Sequence, residues 1–412
     1  MVAMTGPYDD QRKSAETRPT RLSGMGNNLG QPPIYLDYHA HAPLDPEVAA
    51  VLADAFLVYD ANPHSHHLAG DTSRKALDEA RLEVARFLGC SAAELIFTSG
   101  ATEANNMAFH GIAPLLRRRE RTRILVGAGE HPSVHAAAGR LADFQVEPVA
   151  LDESGLVNLD ALHGQLGVDV GLVSIGWANH EVGTVQPMTE IAALARAAGA
   201  LLHSDLAQAC GHVPVETALL DLASVAAHKF CGPVGIGALM VRRSLRPALD
   251  PLLVGGGQEG GARSGTTAVP MCIGFAAACA RAAKLQKEES ARLAMLRDLL
   301  LDRLSQAPGL KVNGTLASRL PGNLNISFDD VDGEALVMRV RDQLAISTGS
   351  ACSADSLEPS PVLLALGLNR TRAESAIRIG LGRFTTEEEV EKAARFVLDA
   401  VTTLRRMSRR VA

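Results

Sequence analysis

Several features of specialised proteins are missing from this sequence. Its 412 residues include no uncharged apolar run of about eighteen residues, the length that a membrane-spanning helix needs, so we expect no membrane span. Residues 1–30 lack the apolar core of an export signal and mix Gly, Pro, Ser, Arg and Asp, which predicts a disordered tail. The formal net charge of −6 provides no general attraction to nucleic acid, so direct nucleic-acid binding is not expected. We find no internal repeat.

The six cysteines lack the CxxC spacing of common metal and redox sites. Five of them lie in apolar or helical contexts, where a cysteine is usually a small buried hydrophobe. Cys352 differs, because the segment 347–360 around it consists mainly of small polar residues that are hard to pack. We therefore predict a reducing, cytoplasmic setting and one reactive thiol.

The overall amino-acid composition is typical of a globular protein with a large core. Hydrophobic residues make up 47% of the chain and charged residues 21%. Apolar segments alternate with amphipathic ones, which predicts an α/β fold with a mostly parallel sheet covered by helices on both faces. Strands are predicted at 94–97, 122–127, 145–150 and 169–176, and helices at 45–59, 71–88, 132–143, 158–166 and 188–198.

A second, smaller α+β domain is predicted after this sheet, reached by a long helix from about Pro270 to Ser305. We place the domain boundaries at 46–265 for the large domain, 266–289 for a connecting helix, and 31–45 with 290–412 for the small domain that carries Cys352. Further strands are expected near 310–313, 322–328 and 377–380, and helices at 333–342 and 385–406. Gly255, Gly257 and Gly260 match a dinucleotide fingerprint, but a loop and not a helix follows them, so we reject that interpretation.

Polar residues follow several of the predicted strands at the point where each strand ends. They are Thr102, His131, Asn179, Asp205 and Lys229. Ligands in parallel sheets bind at the carboxyl ends of strands, so these residues are predicted to share one site.

The segment from Leu201 to Leu239 contains the most informative pair, Asp205 and Lys229. An aspartate at one strand end can keep a pyridine nitrogen protonated, and a lysine at the next can form a Schiff base with an aldehyde, so the pair suits a pyridoxal cofactor. A surface ion pair is the alternative that these two residues alone leave open.

Eight motifs extend this interpretation to most of the chain. In order, they are SGATEANN, EHPSV, ANHEVGTVQP, SDLAQ, HKFCGPVGIGAL, RSGT, STGSACSADSLEPS and IRIGLGRFTTEEE. From Tyr35 to about Ala400 the sequence resembles the group I cysteine desulfurases of the NifS/IscS type, which have the class V aminotransferase fold. The resemblance implies a pyridoxal-phosphate-dependent fold type I enzyme.

The same resemblance implies a role for each matching residue. Lys229 would carry pyridoxal 5′-phosphate, Asp205 would pair with its ring nitrogen, Gln208 would bond the ring hydroxyl, and His131 would stack on the ring and relay protons. The phosphate would be held by Ala101, Thr102 and His228, and by Thr266 of a neighbouring subunit. Asn179 and Arg378 would fix the substrate carboxylate, Arg378 through a bidentate fork.

The implied reaction converts L-cysteine to L-alanine. The freed Lys229 would take the α-proton, and the Cys352 thiolate, helped by His131, would attack the substrate sulfur to leave a persulfide. The implied partners are a second copy of the chain in a homodimer with shared sites, and a sulfur-acceptor protein in iron–sulfur cluster assembly or another pathway.

Departures from the family pattern leave the identity of the substrate undecided. They are Ala226 for a serine, His180 for an asparagine, His39 and His41 near the family's threonines, and Gln258 with Gly260 after the triple glycine. A cationic His39 or His41 would favour an additional anionic group on the substrate.

Two other activities remain as alternatives at this point. A selenocysteine lyase, or a lyase for another cysteine derivative, would share these motifs. A metal-dependent hydrolase would use clustered histidines as ligands, namely His39, His41, His64, His66 and His67. No acidic ligand lies at a fixed helical spacing from them, so no metal site is predicted.

Overall fold

The computed structural model describes residues 32–349 and 358–411, without the side chains of 409–411. The predicted N-terminal tail and Cys352 lie outside these ranges. No helix within them is long and apolar enough to cross a membrane.

A seven-stranded sheet forms the centre of the larger part of the molecule, in the order β2-β8-β7-β6-β5-β3-β4. Its strands are β2 (Leu95–Thr98), β3 (Arg123–Gly127), β4 (Gln145–Val149), β5 (Val170–Ser174), β6 (Leu201–Asp205), β7 (Leu222–Ala226) and β8 (Gly237–Val241). The strands from β3 to β7 pair in parallel, whereas β8 runs antiparallel to both β7 and β2. The prediction of a mostly parallel sheet is therefore confirmed.

Helices cover both faces of this sheet. They are α1 (Pro46–Val58), α2 (Leu68–Leu88), α3 (Ala101–Arg118), α4 (Pro132–Gly139), α5 (Leu159–Gln165), α6 (Met188–Ala197) and α7 (Val269–Leu304). Alternate strand residues enter two separate cores: Leu95 and Phe97 pack with α2, α6 and α7, while Ile96 packs with α3 and α4. This follows from the two-residue repeat of a strand, which sends neighbouring side chains to opposite faces.

The 36-residue helix α7 joins this layered part to a second core. Its first half contributes Cys272 and Phe275 to the core of the large sheet, and its second half contributes Leu296 and Leu300 to the other core. That second core belongs to a three-stranded antiparallel sheet, ordered β12-β10-β9, and to the parallel pair β1-β11. The remaining helices and strands of the chain are β1 (Ile34–Tyr35), β9 (Leu310–Val312), β10 (Asn323–Phe328), α8 (Gly333–Val340), β11 (Leu344–Ala345), α9 (Pro361–Ala365), α10 (Arg370–Glu374), β12 (Ala376–Gly380) and α11 (Glu387–Val411).

Local chemistry explains where some boundaries differ from the predicted ones. Helix α2 begins at Leu68 and not at residue 71, because the imidazole Nδ1 of His67 accepts the N–H of Gly70 and caps the helix earlier. The glycines after residue 254 form a loop with a short 3₁₀ turn at Gln258–Gly261, and Gly257, which precedes the turn, has a φ of 74°. No α-helix opens there, in agreement with the rejected dinucleotide interpretation.

Candidate active site

A cavity of about 870 Å³ lies where the chain leaves β2, β3, β5, β6 and β7. Most of the residues that the sequence predicted for the site line it: Ala101, Thr102, His131, Asn179, Asp205, Gln208, His228, Lys229 and Arg378. Apart from Arg378, which comes from β12 of the smaller sheet, these residues follow strands of the large sheet whose carboxyl ends meet at one edge.

Lys229 lies in the 3₁₀ turn that follows β7. Its Nζ donates to the carbonyl oxygens of His39 at 2.7 Å and Ala40 at 3.0 Å. These carbonyls belong to the loop after β1, so a segment of the small core closes over the cavity and holds the amine at its wall.

Asp205 ends β6 and receives two hydrogen bonds. The backbone N–H of Ala207 donates to Oδ1 at 2.9 Å, and Asn105 Nδ2 donates to Oδ2 at 2.8 Å. The sequence interpretation missed Asn105. The available signal was its spacing of four, seven and eleven residues from Phe109, Ile112 and Leu116, which places an asparagine on the apolar face of α3, where it needs a polar partner.

His131 is the N-cap of α4, where its Nδ1 accepts the backbone N–H of Ser133 at 3.1 Å. The Oγ of Ser133 lies 2.8 Å from the same nitrogen. Burial lowers the pKa of His131; Asp205 acts against this effect and Lys229 adds to it. The ring is therefore predominantly neutral at pH 7.

His39 and Gln208 form a reciprocal pair. Gln208 Nε2 donates to the His39 carbonyl at 3.0 Å, and Gln208 Oε1 lies 3.2 Å from His39 Nδ1. Burial, followed by the charge of Arg378, lowers the pKa of His39 to about 3. Burial also lowers the pKa of His41, whose ring stacks on that of His228 at 5.7 Å. The expectation that these histidines attract an anionic group as cations is therefore wrong for the buried His39, and the lowered pKa also disfavours the cation at His41.

The first turn of α3 is open to an anion. Its N-cap is Gly100, which makes no side-chain cap and whose φ of 151° with ψ of −178° suits only glycine. Unsatisfied N–H groups at a helix start, together with the helix dipole, bind phosphate well. With the Lys229 amine, the Asp205 carboxylate and the Gln208 amide around the same cavity, the residues present fit pyridoxal phosphate.

Arg378 lies on β12 and is only 3% exposed. Its Nη1 donates to the His180 carbonyl at 2.9 Å, and its Nη2 donates to Asp37 Oδ1 at 2.9 Å and to Ser347 Oγ at 3.4 Å. Its Nε is buried without a partner among the described residues. A bidentate carboxylate must therefore displace one of the Nη2 contacts.

Asn179 has a largely structural position after β5. Its Oδ1 accepts the N–H groups of Glu181 and Val182, and its Nδ2 donates to the Gly129 carbonyl at 2.8 Å. One Nδ2 hydrogen remains for a ligand. The amide thus shapes the turn that carries His180 into the cavity wall.

Glu181 is a second residue that the sequence interpretation missed. It is 3% exposed, its Oε2 accepts the Ser360 hydroxyl at 2.6 Å, and a Cβ on Gly349 would lie 2.3 Å from that oxygen. Gly349 and Ser360 flank the segment that contains Cys352. One buried carboxyl therefore contacts the chain on both sides of the predicted nucleophile.

Two predicted residues are not placed in the cavity. Thr266 is exposed and does not line it, and Cys352 lies outside the described residues. The histidine clusters do not converge either, since His39 lines this cavity and His64 lines a separate one of about 290 Å³. In the described part of the chain, no three His, Cys, Asp or Glu side chains are grouped so that they could hold a metal ion.

Comparison with known proteins agrees with this geometry. The family profile described as aminotransferase class-V matches residues 34–393. The chain is 44% identical over 382 residues to "Cysteine desulfurase IscS" of Anaeromyxobacter sp. (strain Fw109-5), covering 91% of this chain and 94% of that protein. It is 42% identical over 385 residues to "Cysteine desulfurase, mitochondrial" of Arthroderma benhamiae, covering 92% and 76%. A solved structure described as "NifS-like protein" matches with a TM-score of 0.84 at 32% identity, covering 90% of this chain and 99% of that one. The resemblance seen in the motifs is confirmed, and the chain belongs to the class-V aminotransferase family.

Proposed function

We propose that this protein is a pyridoxal-phosphate-dependent cysteine desulfurase, which converts L-cysteine to L-alanine and retains the sulfur as a persulfide on Cys352. The observation that carries the proposal is the convergence of Lys229, Asp205, His131 and Arg378 on one cavity. Relatives named cysteine desulfurase match nearly the whole chain, which supports the same assignment.

The cofactor would be held by residues whose contacts already suit each of its groups. The start of α3 would bind the phosphate, Asp205 the ring nitrogen, Gln208 the ring hydroxyl, and Lys229 the aldehyde. Once bound, pyridoxal phosphate withdraws electrons from the α-carbon of an amino acid. The amine of Lys229 is the group that we assign to moving the α-proton, since it lies at the cavity wall between two carbonyl oxygens.

The substrate carboxylate would bind Arg378. The guanidinium is buried and its Nε has no partner among the described residues, so a bound carboxylate can accept a charge-assisted hydrogen bond there. Asp37 keeps the guanidinium oriented until the substrate arrives.

Cys352 would receive the sulfur. Gly349 lines the cavity and precedes Cys352 by three residues, so chain length alone keeps the Cα of Cys352 within about 11 Å of that wall. In this step the thiolate sulfur bonds to the substrate sulfur while the bond between that sulfur and Cβ breaks. The bonding electron pair stays on the three-carbon fragment, which is then protonated to alanine.

The test compares the wild-type protein with Cys352→Ala. We expect the wild type to release alanine from L-cysteine and, without reductant, to gain one sulfur atom of mass on the peptide that carries Cys352. The Cys352→Ala variant should bind the cofactor normally and release almost no alanine. Substantial alanine release by this variant would overturn the proposal in favour of a lyase that needs no thiol, and selenocysteine assayed in parallel identifies that outcome.

We further propose that the protein acts as a homodimer with shared sites. The exposed position of Thr266 supports this assignment, because it leaves the residue free to reach a neighbouring subunit's phosphate. Exposed apolar side chains on α1 and at the start of α2 support it too: Phe56, Leu57, Val58 and Leu68. A sulfur-acceptor protein and a cytoplasmic location complete the proposal; the free thiols of the described cysteines suit a reducing compartment.

A further inference from the structure

The turn that carries Lys229 is held by hydrogen bonds to its backbone carbonyl groups. The backbone N–H groups of Ala42 and Asp45 donate at 3.1 Å and 3.0 Å to carbonyl oxygens on either side of Lys229. The carbonyl oxygen of Lys229 itself lies 3.0 Å from Nε2 of His212. Of these three donors, His212 is the one that uses a side chain, so a substitution can remove its contact.

The direction of the contact between His212 and Lys229 follows from the acceptor. A carbonyl oxygen can only accept, so Nε2 of His212 must carry the hydrogen. Burial lowers the pKa of His212, and in the neutral ring this bond places the single N–H on Nε2. An imidazolium would also carry a hydrogen on Nε2, so the contact does not depend on the charge of the ring.

The backbone of His212 is fixed in turn by two further hydrogen bonds. Its N–H donates to the carbonyl of Ala209 at 3.0 Å, and its carbonyl accepts the hydroxyl of Ser290, on helix α7, at 2.7 Å. Gly211, just before it, has a φ of 79°, and a Cβ there would lie 2.6 Å from the Cβ of Phe230. The segment that carries His212 therefore packs closely against the lysine turn and cannot shift without α7.

The Lys229 side chain thus has a contact at its tip and another at its base. The contacts at the tip, from Nζ to the carbonyls of His39 and Ala40, must break when the amine reacts. The contact at the base, from the Lys229 carbonyl to His212, involves no reacting atom and can persist. A small rotation of the peptide group would be magnified along the four-carbon side chain, and reacting groups tolerate little displacement.

We propose that His212 is a positioning residue for Lys229. Its Nε2–H fixes the peptide group from which the lysine side chain extends, and so keeps the amine directed at the cavity after the tip contacts break. The inference rests on the proposed function and adds a residue that lies in none of the eight sequence motifs. His212 does not line the cavity, so its effect is exerted through Lys229.

Two substitutions separate the hydrogen bond from the bulk of the ring. His212→Phe keeps a planar ring and removes the donor, whereas His212→Gln offers an amide N–H near the Nε2 position. We expect His212→Phe to lower kcat for alanine formation by roughly ten- to hundredfold, because a displacement of about 1 Å at a reacting group can cost a hundredfold. His212→Gln should recover most of this loss. KM for cysteine should stay within about threefold in both variants, since the proposed carboxylate site at Arg378 is untouched.

An isotope effect identifies the step that changes. With cysteine deuterated at the α-carbon, the isotope effect on kcat should rise in His212→Phe, because a misplaced Lys229 makes transfer of that proton the slowest step. A folded His212→Phe variant with the wild-type kcat and isotope effect would overturn the proposal. A raised KM at unchanged kcat would overturn it too, because that result would assign His212 to substrate binding.

Capture of pyridoxal phosphate by the cofactor-free protein tests the amine without turnover. Visible absorbance follows the rate, and borohydride reduction with peptide mass spectrometry checks that Lys229 carries the label. We expect His212→Phe to capture the cofactor about tenfold more slowly than the wild type, and His212→Gln to stay within about twofold. A histidine with a merely structural role would lower the melting temperature and leave the capture rate unchanged, which would contradict the inference. If the wild type released no alanine from cysteine, the proposed function would fail, and the capture rates would still decide the role of His212.

Ser290 provides a milder variant that leaves the ring in place. Ser290→Ala removes the hydroxyl that holds the His212 carbonyl and should slow cofactor capture by about fivefold, the worth of one ordinary hydrogen bond. Ser290→Thr keeps the hydroxyl and should restore the rate. Ser305→Ala is the matched control, because Ser305 follows the same helix and its hydroxyl bonds only the local Leu301 carbonyl. If His212→Phe does not fold, an unchanged capture rate in Ser290→Ala would overturn the proposal.

Discussion

At the scale of single residues, two carboxyl groups near the cavity have opposite surroundings. Asp205 accepts hydrogen bonds from Asn105 and a backbone N–H, which suits a carboxylate that must remain charged. Burial, with a contribution from Asp205, raises the pKa of Glu130 to about 8, and a single N–H, from Gly176, opposes this. Glu130 can lie near the negative charge of Asp205 because its own carboxyl group can stay protonated.

The titration of Glu130 should appear in the pH dependence of stability. Its folded-state pKa is raised above the ordinary value of 4.5, so the folded state binds more protons, and stability is lost as the pH rises from about 4.5 towards 8. Glu130→Gln mimics the protonated acid and should flatten this decline. Thermal unfolding of the cofactor-free protein at pH 5 and pH 8 measures it, with the exposed Glu387→Gln as the control. An equal decline in both variants would contradict the assignment.

Ala226 makes a second prediction at the residue scale. It lines the cavity and is 1% exposed, at the position where the family has a serine. A restored hydroxyl that bonds the charged phosphate would contribute about 1.5–3 kcal/mol, so Ala226→Ser should retain the cofactor roughly ten- to hundredfold longer during dialysis. Visible absorbance after timed dialysis provides the measurement. Equal retention would mean that another group, such as a water, already satisfies the phosphate there.

At the scale of elements, the approach of β8 to the start of α3 shapes the proposed phosphate site. A Cβ on Gly237 would lie 2.3 Å from the Val225 carbonyl oxygen and 2.7 Å from Gly100 Cα. Both neighbours are backbone atoms, so neither can move without displacing its strand or helix. The glycine therefore permits the close packing that leaves the first turn of α3 open.

Gly237→Ala should consequently weaken both the fold and cofactor binding. We expect a loss of about 1–3 kcal/mol in the free energy of unfolding, as for other overpacked sites, with reduced visible absorbance. Gly139→Ala is the matched control, because nothing lies within 4 Å of its Cβ and it is part of α4. That change should stabilise the protein by about 0.5–1 kcal/mol. A neutral Gly237→Ala variant in urea unfolding would refute the packing argument.

At the scale of the whole molecule, helix α7 crosses both cores and the small core supplies part of the site. The loop after β1 holds Lys229 through the His39 and Ala40 carbonyls, while β12 supplies Arg378. The cavity is therefore complete only when both cores are folded and docked.

The proposed dimer leads to a prediction about the apolar surface of α1. Leu57 is 82% exposed beside Phe56 and Val58, so a second subunit would bury it. Leu57→Asp should shift the protein from dimer to monomer in sedimentation velocity and lower activity, because Thr266 would no longer reach the other site. Val168→Asp changes a side chain that is 88% exposed elsewhere and should leave the dimer intact. A dimeric Leu57→Asp variant would place the interface on another surface.

Periodicity and strand-end residues were sufficient to predict the layered fold and most of the cavity lining. Strands that alternate with helices pair in parallel and bring their carboxyl ends to one edge, so the sequence was enough to assign Asp205 and Lys229 to one site. The predicted boundaries failed where a side chain acts as a cap, as His67 does for α2, because caps depend on local geometry and not on hydrophobic pattern.

The sequence by itself determined the fold class, the family and the identity of the chemically active groups, since these follow from residue type and order. Only the tertiary structure decided the state of those groups. His39 looks like a solvated histidine in the sequence, yet burial lowers its pKa to about 3 and makes it neutral. Asn105 and Ser133 look unremarkable, yet they connect Asp205 to His131. The reason is physical: a pKa, a tautomer and a hydrogen-bond direction depend on neighbours that are distant in the chain.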